Sequence, residues 1–267
     1  MLGAGAEAVR RVAAALAVVA ASATPPAAGQ PAPVPVPVPA PVADGALHPA
    51  WRVAGLPQQK PPLTQYAAAK VDGVEALLLD ARASYGNLVL DLSGRAPPLR
   101  IGWRWRLEQA NPALDLSRKA GDDSPAKVCL AFDLPLAAVP IVERQLLRLA
   151  RARSGEPLPS ATLCWVWGHA EPVGSVIDNP FSRRVRFVVL RGRGDATGRW
   201  YDELRDVAAD FRRAFGDEWT DPARLPPLSA LIVGADADNT GASSRALLAG
   251  PYLEPRALTA APPAPPR

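Results

Sequence analysis

The chain has 267 residues, and its 30 basic side chains outnumber its 26 acidic ones by four. So small a surplus is not that of a nucleic-acid-binding protein, and we expect no nucleic-acid partner. Setting aside an N-terminal leader and a low-complexity stretch leaves roughly 200 residues, a size that one β-sandwich or barrel fills.

The N-terminus has the pattern of a secretory signal peptide. Arg10 and Arg11 precede an apolar run from Val12 to Ala20, and the small residues Ala21-Ser22-Ala23 follow it. The run is too short for a permanent membrane span, and small residues suit cleavage by a signal peptidase. We therefore predict a signal peptide over 1–23, cleaved after its last residue, and a periplasmic or secreted protein. An uncleaved anchor is the alternative.

Residues 24–49 are rich in Pro, Ala and Val, with a proline at nearly every second position from Pro31 to Pro41. Such a segment cannot build a core, and the fixed φ angle of proline favours an extended polyproline II spacer. We predict a disordered linker over 24–49, one domain over 50–256 and a disordered, proline-rich tail over 257–267.

Short segments in which apolar and polar residues alternate dominate the predicted domain. In the clearest one, 100–108, Ile101, Trp103, Trp105 and Leu107 share one face, while the other face is mostly arginine. This alternation predicts a half-buried strand. Similar segments occur at 76–82, 87–92, 127–132, 162–167, 185–191, 228–234 and around Tyr252. Many short strands separated by turns predict a mainly β protein, either a sandwich or a barrel.

Two segments have helical spacing instead. Residues 141–153 place Ile141, Leu146 and Leu149 near one side and arginines near the other. This predicts an amphipathic helix that lies across one sheet. Residues 201–215 also have apolar residues at helical spacing, and the first half of this segment is alternatively a strand.

Cys129 and Cys164 are the only cysteines of the chain. An even pair in an exported protein permits one disulfide, closing a loop of about 35 residues. In each predicted strand the cysteine lies on the side away from the apolar face, so the two could share a face. A buried free thiol is the commoner outcome on a strand, and we expect free thiols, with the disulfide as the alternative.

Trp103 and Trp105 form one pair of tryptophans two residues apart, and Trp165 and Trp167 form another. Alternate side chains of a strand point to the same side, so each pair shares a face. On neighbouring strands the four indoles would form an aromatic platform on which sugar rings stack. The competing interpretation is that they fill the core of a sandwich, which their alternation with arginines favours.

Acidic residues provide the other candidate site. Asp122 and Asp123 precede one predicted strand, and Asp236, Asp238 and Asn239 follow another. The spacing after the second strand copies the start of an EF-hand loop, but the twelfth position, where a glutamate is required, is a leucine. A calcium site of another kind, built from Asp236 and Asp238 with Asp122 or Asp123, is the alternative to a turn that caps a strand end. Apart from calcium, we expect no cofactor.

Several segments resemble, in order, the bacterial family designated domain of unknown function 3047. They are 99–105, 119–128, 161–167, 200–207, 210–216 and 236–241. No single segment is specific, but together they extend from about Trp51 to Glu254. The resemblance implies an exported bacterial domain, a jelly-roll-like β-sandwich with one or two short surface helices, similar to galactose-binding and other carbohydrate-binding modules. It implies no established activity.

Two positions depart from the family pattern. An arginine is expected where Lys127 stands, and an aromatic residue where Ser124 stands. An ammonium group cannot make the bidentate fork of a guanidinium, so a ligand at this strand would be held differently.

We predict a non-catalytic binding module of the cell envelope that recognises a glycan or another polyhydroxylated ligand. The candidate ligand-binding residues are Trp103, Trp105, Asp122, Asp123, Lys127, Trp165, Trp167, Arg205, Asp206, Asp236, Asp238 and Asn239. Motifs of common enzyme classes, such as G-x-S-x-G and H-E-x-x-H, are absent. One alternative is a structural or assembly partner in an envelope complex, which a large exposed apolar patch would indicate. The other is a glycan hydrolase with paired carboxylates such as Glu203 and Asp236. We expect a monomer.

Overall fold

The computed structural model describes residues 36–43, 45–56, 58–154, 158–221 and 223–255. The predicted signal peptide, residues 24–35 of the predicted linker and the predicted C-terminal tail lie outside the described residues. Within the described ranges, no helix is both long and apolar enough to cross a membrane.

The described residues form fifteen strands and two α-helices. The strands are β1 Val36–Pro37, β2 Val42–Ala43, β3 Ala46–Leu47, β4 Trp51–Ala54, β5 Gln65–Val71, β6 Val74–Arg82, β7 Asn87–Asp91, β8 Arg100–Gln109, β9 Ser124–Phe132, β10 Ala161–Trp167, β11 Val176–Asp178, β12 Val185–Arg191, β13 Tyr201–Asp206, β14 Leu228–Asp236 and β15 Ser243–Glu254. The helices are α1 Ile141–Ser154 and α2 Val207–Phe215.

Two large sheets pack face to face, and β2 and β3 form a small hairpin. One sheet has the order β13-β8-β15-β6-β5, with β1 paired to β15, and the other has the order β11-β12-β10-β9-β14-β7-β4. We call them the six-stranded and the seven-stranded sheet. The chain crosses repeatedly from one sheet to the other, as in a jelly roll. The predicted mainly β, jelly-roll-like sandwich with short helices is confirmed.

The core lies between the two sheets and is lined by the apolar faces that the alternation predicts. In β8, the side chains of Ile101, Trp103 and Trp105 are at most 1% exposed. Trp165 and Trp167 of β10 meet them from the seven-stranded sheet, with ring centroids 5.6 Å apart in both cross-sheet pairs. Large aromatic side chains dominate core energetics, so these indoles hold the two sheets together.

The segment predicted as one helix over 201–215 is a strand followed by a helix. Its first half therefore adopts the predicted alternative, a strand. β13 pairs with β8 along its whole length. The side chain of Asp206 then caps α2 by accepting a hydrogen bond from the backbone N–H of Ala209 (2.8 Å). The strand lacks an apolar stripe because Glu203 and Arg205, which face inward, are charged.

The predicted amphipathic helix is confirmed as α1, but its orientation is not the predicted one. Ile141, Leu146 and Leu149 are exposed, whereas Leu147 is buried. The guanidinium of Arg144 also donates to two carbonyl oxygens of the preceding loop. Amphipathic spacing indicates that a helix has an apolar side, but it does not specify what covers that side.

Contacts of the sandwich extend into the predicted linker. In β1, Val36 lies opposite Leu253 of β15. The indole N–H of Trp51 donates to the carbonyl oxygen of Pro39 (2.9 Å). A proline-rich segment can pair at the edge of a sheet, where its missing N–H groups are not needed. Residues 36–39 therefore lie against the domain.

Candidate functional site

The side of the seven-stranded sheet that faces away from the core carries a cavity of about 530 Å³. Its floor is a row of side chains that lie opposite one another on four strands: Ile232 of β14, Cys129 of β9, Cys164 of β10 and Phe187 of β12. Successive side chains of a strand point to opposite sides, so this row alternates with the residues of the core. The cavity therefore has an apolar floor.

Cys129 and Cys164 form a disulfide within this floor. The expectation of free thiols is wrong, because β9 and β10 are antiparallel neighbours that place the two cysteines directly opposite each other. The alternation in each strand correctly places both sulfur atoms on the face away from the tryptophans. It does not specify that the two strands are neighbours.

A polar row lies beside the apolar floor. Gly234 of β14 is paired with Asn87 of β7 on one side and with Lys127 of β9 on the other. A Cβ atom on Gly234 would lie 2.0 Å from Asn87 Oδ1 and 3.0 Å from Lys127 Cε. Because Gly234 has no side chain, two polar side chains can converge above it and face the cavity.

An ion pair closes the polar end of the cavity. The ammonium of Lys127 donates to Asp236, whose other carboxylate oxygen accepts from the backbone N–H of Ser124 (2.6 Å). Lys127 Nζ also lies 5.5 Å from the ring centroid of Tyr85. Burial lowers the pKa of Lys127, but the attraction of Asp236 and of the other acidic groups outweighs burial, so the pKa is raised. Lys127 therefore remains charged.

Asp123 fixes the loop that follows β14. Its carboxylate accepts hydrogen bonds from the backbone N–H groups of Asn239 (3.1 Å) and Thr240 (3.0 Å) and from the Thr240 hydroxyl. The side-chain amide of Asn239 donates to the carbonyl oxygen of Asp122 (3.0 Å). Asp123 and Asn239 thus position this loop as a wall of the cavity. The turn that caps the end of β14, predicted as the alternative to a calcium site, is present.

Asp122 and Asp238 also line the cavity, and neither forms an ion pair with a described residue. Burial and the neighbouring Asp236 carboxylate raise the pKa of Asp122 to about 7. Burial and the carboxylates of Asp236 and Asp123 raise the pKa of Asp238 to about 6. The protonated form of Asp122 therefore persists to a much higher pH than that of an ordinary carboxyl group, and in this form it donates as well as accepts hydrogen bonds.

Two buried acceptor oxygens at the cavity wall have no hydrogen-bond partner in the described part of the chain, Asn87 Oδ1 and Asp238 Oδ1. The side-chain amide of Asn87 is oriented by its nitrogen, which donates to the hydroxyl of Tyr85 (3.0 Å). Leaving a buried acceptor unpaired costs about 1–3 kcal/mol. Two acceptors of the cavity wall therefore lack a partner within the described residues.

The loop after β11 completes the rim. The side-chain amide of Asn179 donates to the carboxylate of Asp122, and its Oδ1 accepts from the backbone N–H groups of Phe181 (2.9 Å) and Ser182 (3.1 Å). These bonds hold Phe181 at the mouth of the cavity, where it is 57% exposed. Its ring centroid lies 5.3 Å from Lys119 Nζ. Phe181 therefore supplies an exposed aromatic surface to this site.

The predicted aromatic platform is not formed. Trp103, Trp105, Trp165 and Trp167 are at most 1% exposed, and they occupy the core on the other side of the sheet from the cavity. Their spacing does put each pair on one face, as predicted. That face is the buried one, which is the competing interpretation of the same pattern.

Arg205 and Asp206 also lie away from the cavity. Arg205 binds both carboxylate oxygens of the buried Asp210 (2.8 and 2.9 Å). Asp210 in turn accepts from the indole N–H of Trp165 (2.8 Å). These contacts, with the cap that Asp206 provides to α2, stabilise the sandwich.

The carboxylate pair of Glu203 and Asp236 does not form. Glu203 accepts from the indole N–H of Trp105 (3.0 Å) and from Arg191 (2.7 Å), and it does not line the cavity. The two carboxylates belong to different sheets. For the calcium alternative, the described residues contain no group of three or more His, Cys, Asp or Glu side chains that could hold a metal ion.

The structure brings half of the predicted ligand-binding residues together at the cavity. They are Asp122, Asp123, Lys127, Asp236, Asp238 and Asn239. Sequence reasoning misses Asn87, although the alternation in 87–92 places it on the face opposite Leu88. It also misses Asn179 and Phe181, which lie in a loop without any periodic pattern.

A family model described as a protein of unknown function, DUF3047, matches residues 49–250. No curated protein matches the chain. Among solved structures, the chain is similar to the xyloglucanase domain of NopAA, a type three effector from Sinorhizobium fredii, in complex with cellobiose. The identity is 8% and the TM-score is 0.38, over 79% of this chain and 93% of that chain. Similarity at this level does not indicate what this chain binds.

Proposed function

We propose a function from the geometry of the cavity. The chain belongs to DUF3047, a family described only as proteins of unknown function, so membership of the family does not indicate an activity. The cavity binds a polyhydroxylated ligand, and a glycan is the ligand chemistry that it suits best. The observation that carries this proposal is the lining of the cavity, in which an apolar floor adjoins a wall of carboxyl, amide and ammonium side chains. Ligand hydroxyl groups both donate and accept hydrogen bonds, so they can pair with all three kinds of polar group in that wall.

The apolar floor supports the same ligand class. A sugar ring has polar edges and an apolar face of C–H groups, and it stacks by that face on aromatic side chains. Phe181 at the mouth and Phe187 in the floor provide aromatic surface, and Asp122 also lines the cavity. A volume of about 530 Å³ lies within the range of sites that enclose small ligands.

The domain then acts as a non-catalytic binding module of the cell envelope. Export is part of this proposal, and its supports are the leader pattern of residues 1–23 and the disulfide, which is typical of proteins in oxidising compartments. N-terminal sequencing of the protein from a periplasmic or medium fraction tests it, with Thr24 as the expected first residue. Recovery only from the cytoplasm contradicts export.

A glycan array, followed by pull-down on cell-envelope polysaccharide with and without calcium, tests the proposed ligand. We expect binding to a defined set of glycans. Asp238→Ala or Asn87→Ala should each weaken it by about tenfold, which corresponds to the loss of one hydrogen bond of ordinary strength. Failure to bind any glycan under either condition contradicts the proposal.

A second candidate is hydrolysis of the bound glycan by carboxyl groups of the same cavity. It is favoured by the environment of Asp122 and Asp238, since their pKa values of about 7 and about 6 suit proton transfer near neutral pH. Mass spectrometry of a bound oligosaccharide after prolonged incubation distinguishes the candidates. Shorter products, absent with Asp122→Asn, favour hydrolysis, and an intact oligosaccharide favours binding alone.

A further inference from the structure

α1 turns its apolar side to solvent. Ile141, Val142, Leu146 and Leu149 are 70%, 66%, 56% and 47% exposed. At 3.6 residues per turn, these positions span an arc of about 140° on one side of the helix, and the buried Leu147 lies on the opposite side. A helix of a globular protein ordinarily directs its apolar stripe to the core. The orientation of α1 is the reverse.

The charges of α1 are divided in the same way. Glu143 is its only acidic residue, and its carboxylate points to the protein, 3.7 Å from the guanidinium of a buried arginine. Arg144 and Arg151 donate to backbone carbonyl oxygens beside the helix. Arg148 and Arg153 are exposed. The solvent side of α1 therefore combines four apolar side chains with guanidinium groups and has no carboxylate.

We propose that this side of α1 docks on the surface of a membrane that contains anionic lipids. The apolar side chains of an interfacial helix enter the boundary between headgroups and acyl chains, while arginines beside them extend to the phosphates. Charge complementarity argues for this partner, because the exposed charges of the stripe are all positive. The membrane then holds the domain by one helix, independently of what the cavity binds.

Sedimentation with lipid vesicles tests this proposal. The full chain is mixed with vesicles of phosphatidylcholine alone or with added phosphatidylglycerol. We expect it to sediment with the anionic vesicles, and less so as the salt concentration rises. The double variant Leu146→Gln and Leu149→Gln should reduce the partition coefficient on anionic vesicles about tenfold, since two inserted side chains are lost. Arg148→Gln with Arg153→Gln should weaken the preference for anionic lipid.

Val173→Gln is the matched control, because Val173 is an apolar residue that is 63% exposed and lies in a loop outside α1. It should bind vesicles as the unmodified protein does. All variants keep the N-terminal residues, so the contribution of the leader is equal in each. The proposal is overturned if the leucine double variant binds like the control. It is also overturned if only self-association is lost with the leucines, since the stripe would then be an interface between copies of the chain.

Discussion

The seven-stranded sheet has two faces that differ in how fully their polar atoms are paired. On the inner face, the indole N–H of Trp165 is bonded to Asp210, and Asp210 is held by Arg205. Across the core, in the six-stranded sheet, the indole N–H of Trp103 has no partner among the described residues. On the outer side, Asn87 and Asp238 line the cavity, and each keeps an acceptor oxygen that no described residue pairs with. One set of strands therefore stabilises the fold on one side and lines a cavity with polar side chains on the other.

The largest effect is expected from breaking the inner face. Trp165→Ala removes a fully buried indole and the hydrogen bond that it donates to Asp210. We expect the free energy of unfolding to fall by about 3–5 kcal/mol. Urea unfolding followed by circular dichroism measures this change. A decrease below about 1 kcal/mol would show that the indoles do not carry the core.

The disulfide of the outer face gives the next effect in size. Replacing Cys129 and Cys164 together by alanine opens a loop of 35 residues. We expect a loss of about 2–4 kcal/mol in the free energy of unfolding. A reductant should destabilise the unmodified protein by a similar amount and leave the double variant unchanged. Equal stability of the oxidised protein and the double variant would contradict the expected role.

A smaller effect separates two roles for Arg205. Arg205→Gln leaves the buried carboxylate of Asp210 without its bidentate partner. We expect a loss of roughly 1–3 kcal/mol in the free energy of unfolding and unchanged ligand affinity. The sequence-based prediction of Arg205 as a ligand-binding residue requires weaker binding instead. Urea unfolding and calorimetric titration of one preparation measure both quantities.

An effect of another kind, a pH dependence, is expected on the outer face. Because burial and Asp236 raise the pKa of Asp122 to about 7, the folded protein keeps a proton that the unfolded chain loses near pH 4. The stability due to this group is complete below about pH 4 and is lost as the pH rises to about 7. Asp122→Asn should therefore lose less stability over this interval in urea unfolding. Superimposable pH profiles would show that Asp122 titrates normally.

The inner face follows from the sequence because burial selects apolar residues at every second position. The segments at 100–108 and 162–167 therefore predict their strands and the shared face of each tryptophan pair. The same rule fails at β13, where Glu203 and Arg205 face inward as charged residues with partners. Polar pairing there replaces the apolar alternation that sequence reasoning requires.

The cavity follows from the sequence only in part. Asp122, Asp236 and Asp238 stand out because they cluster at the ends of predicted strands. The disulfide depends on which strands are neighbours, and Phe181 depends on the path of a loop, so alternation specifies neither. Tryptophans two residues apart identify a face without indicating whether it is buried or exposed.

The role of the outer face is tested most directly at Gly234. Gly234→Ala adds one methyl group that overlaps the side-chain amide of Asn87 and crowds Lys127 Cε, so we expect these two side chains to shift at the cavity wall. Gly194→Ala is the matched control, because a Cβ atom there meets nothing within 4 Å.

Calorimetric titration with the tightest-binding glycan compares the two variants with the unmodified protein. We predict that Gly234→Ala weakens binding about tenfold or more, as expected for the loss of a hydrogen bond at the wall, while Gly194→Ala leaves the dissociation constant unchanged. Equal affinity of all three proteins would place the ligand elsewhere and contradict the binding role of the outer face.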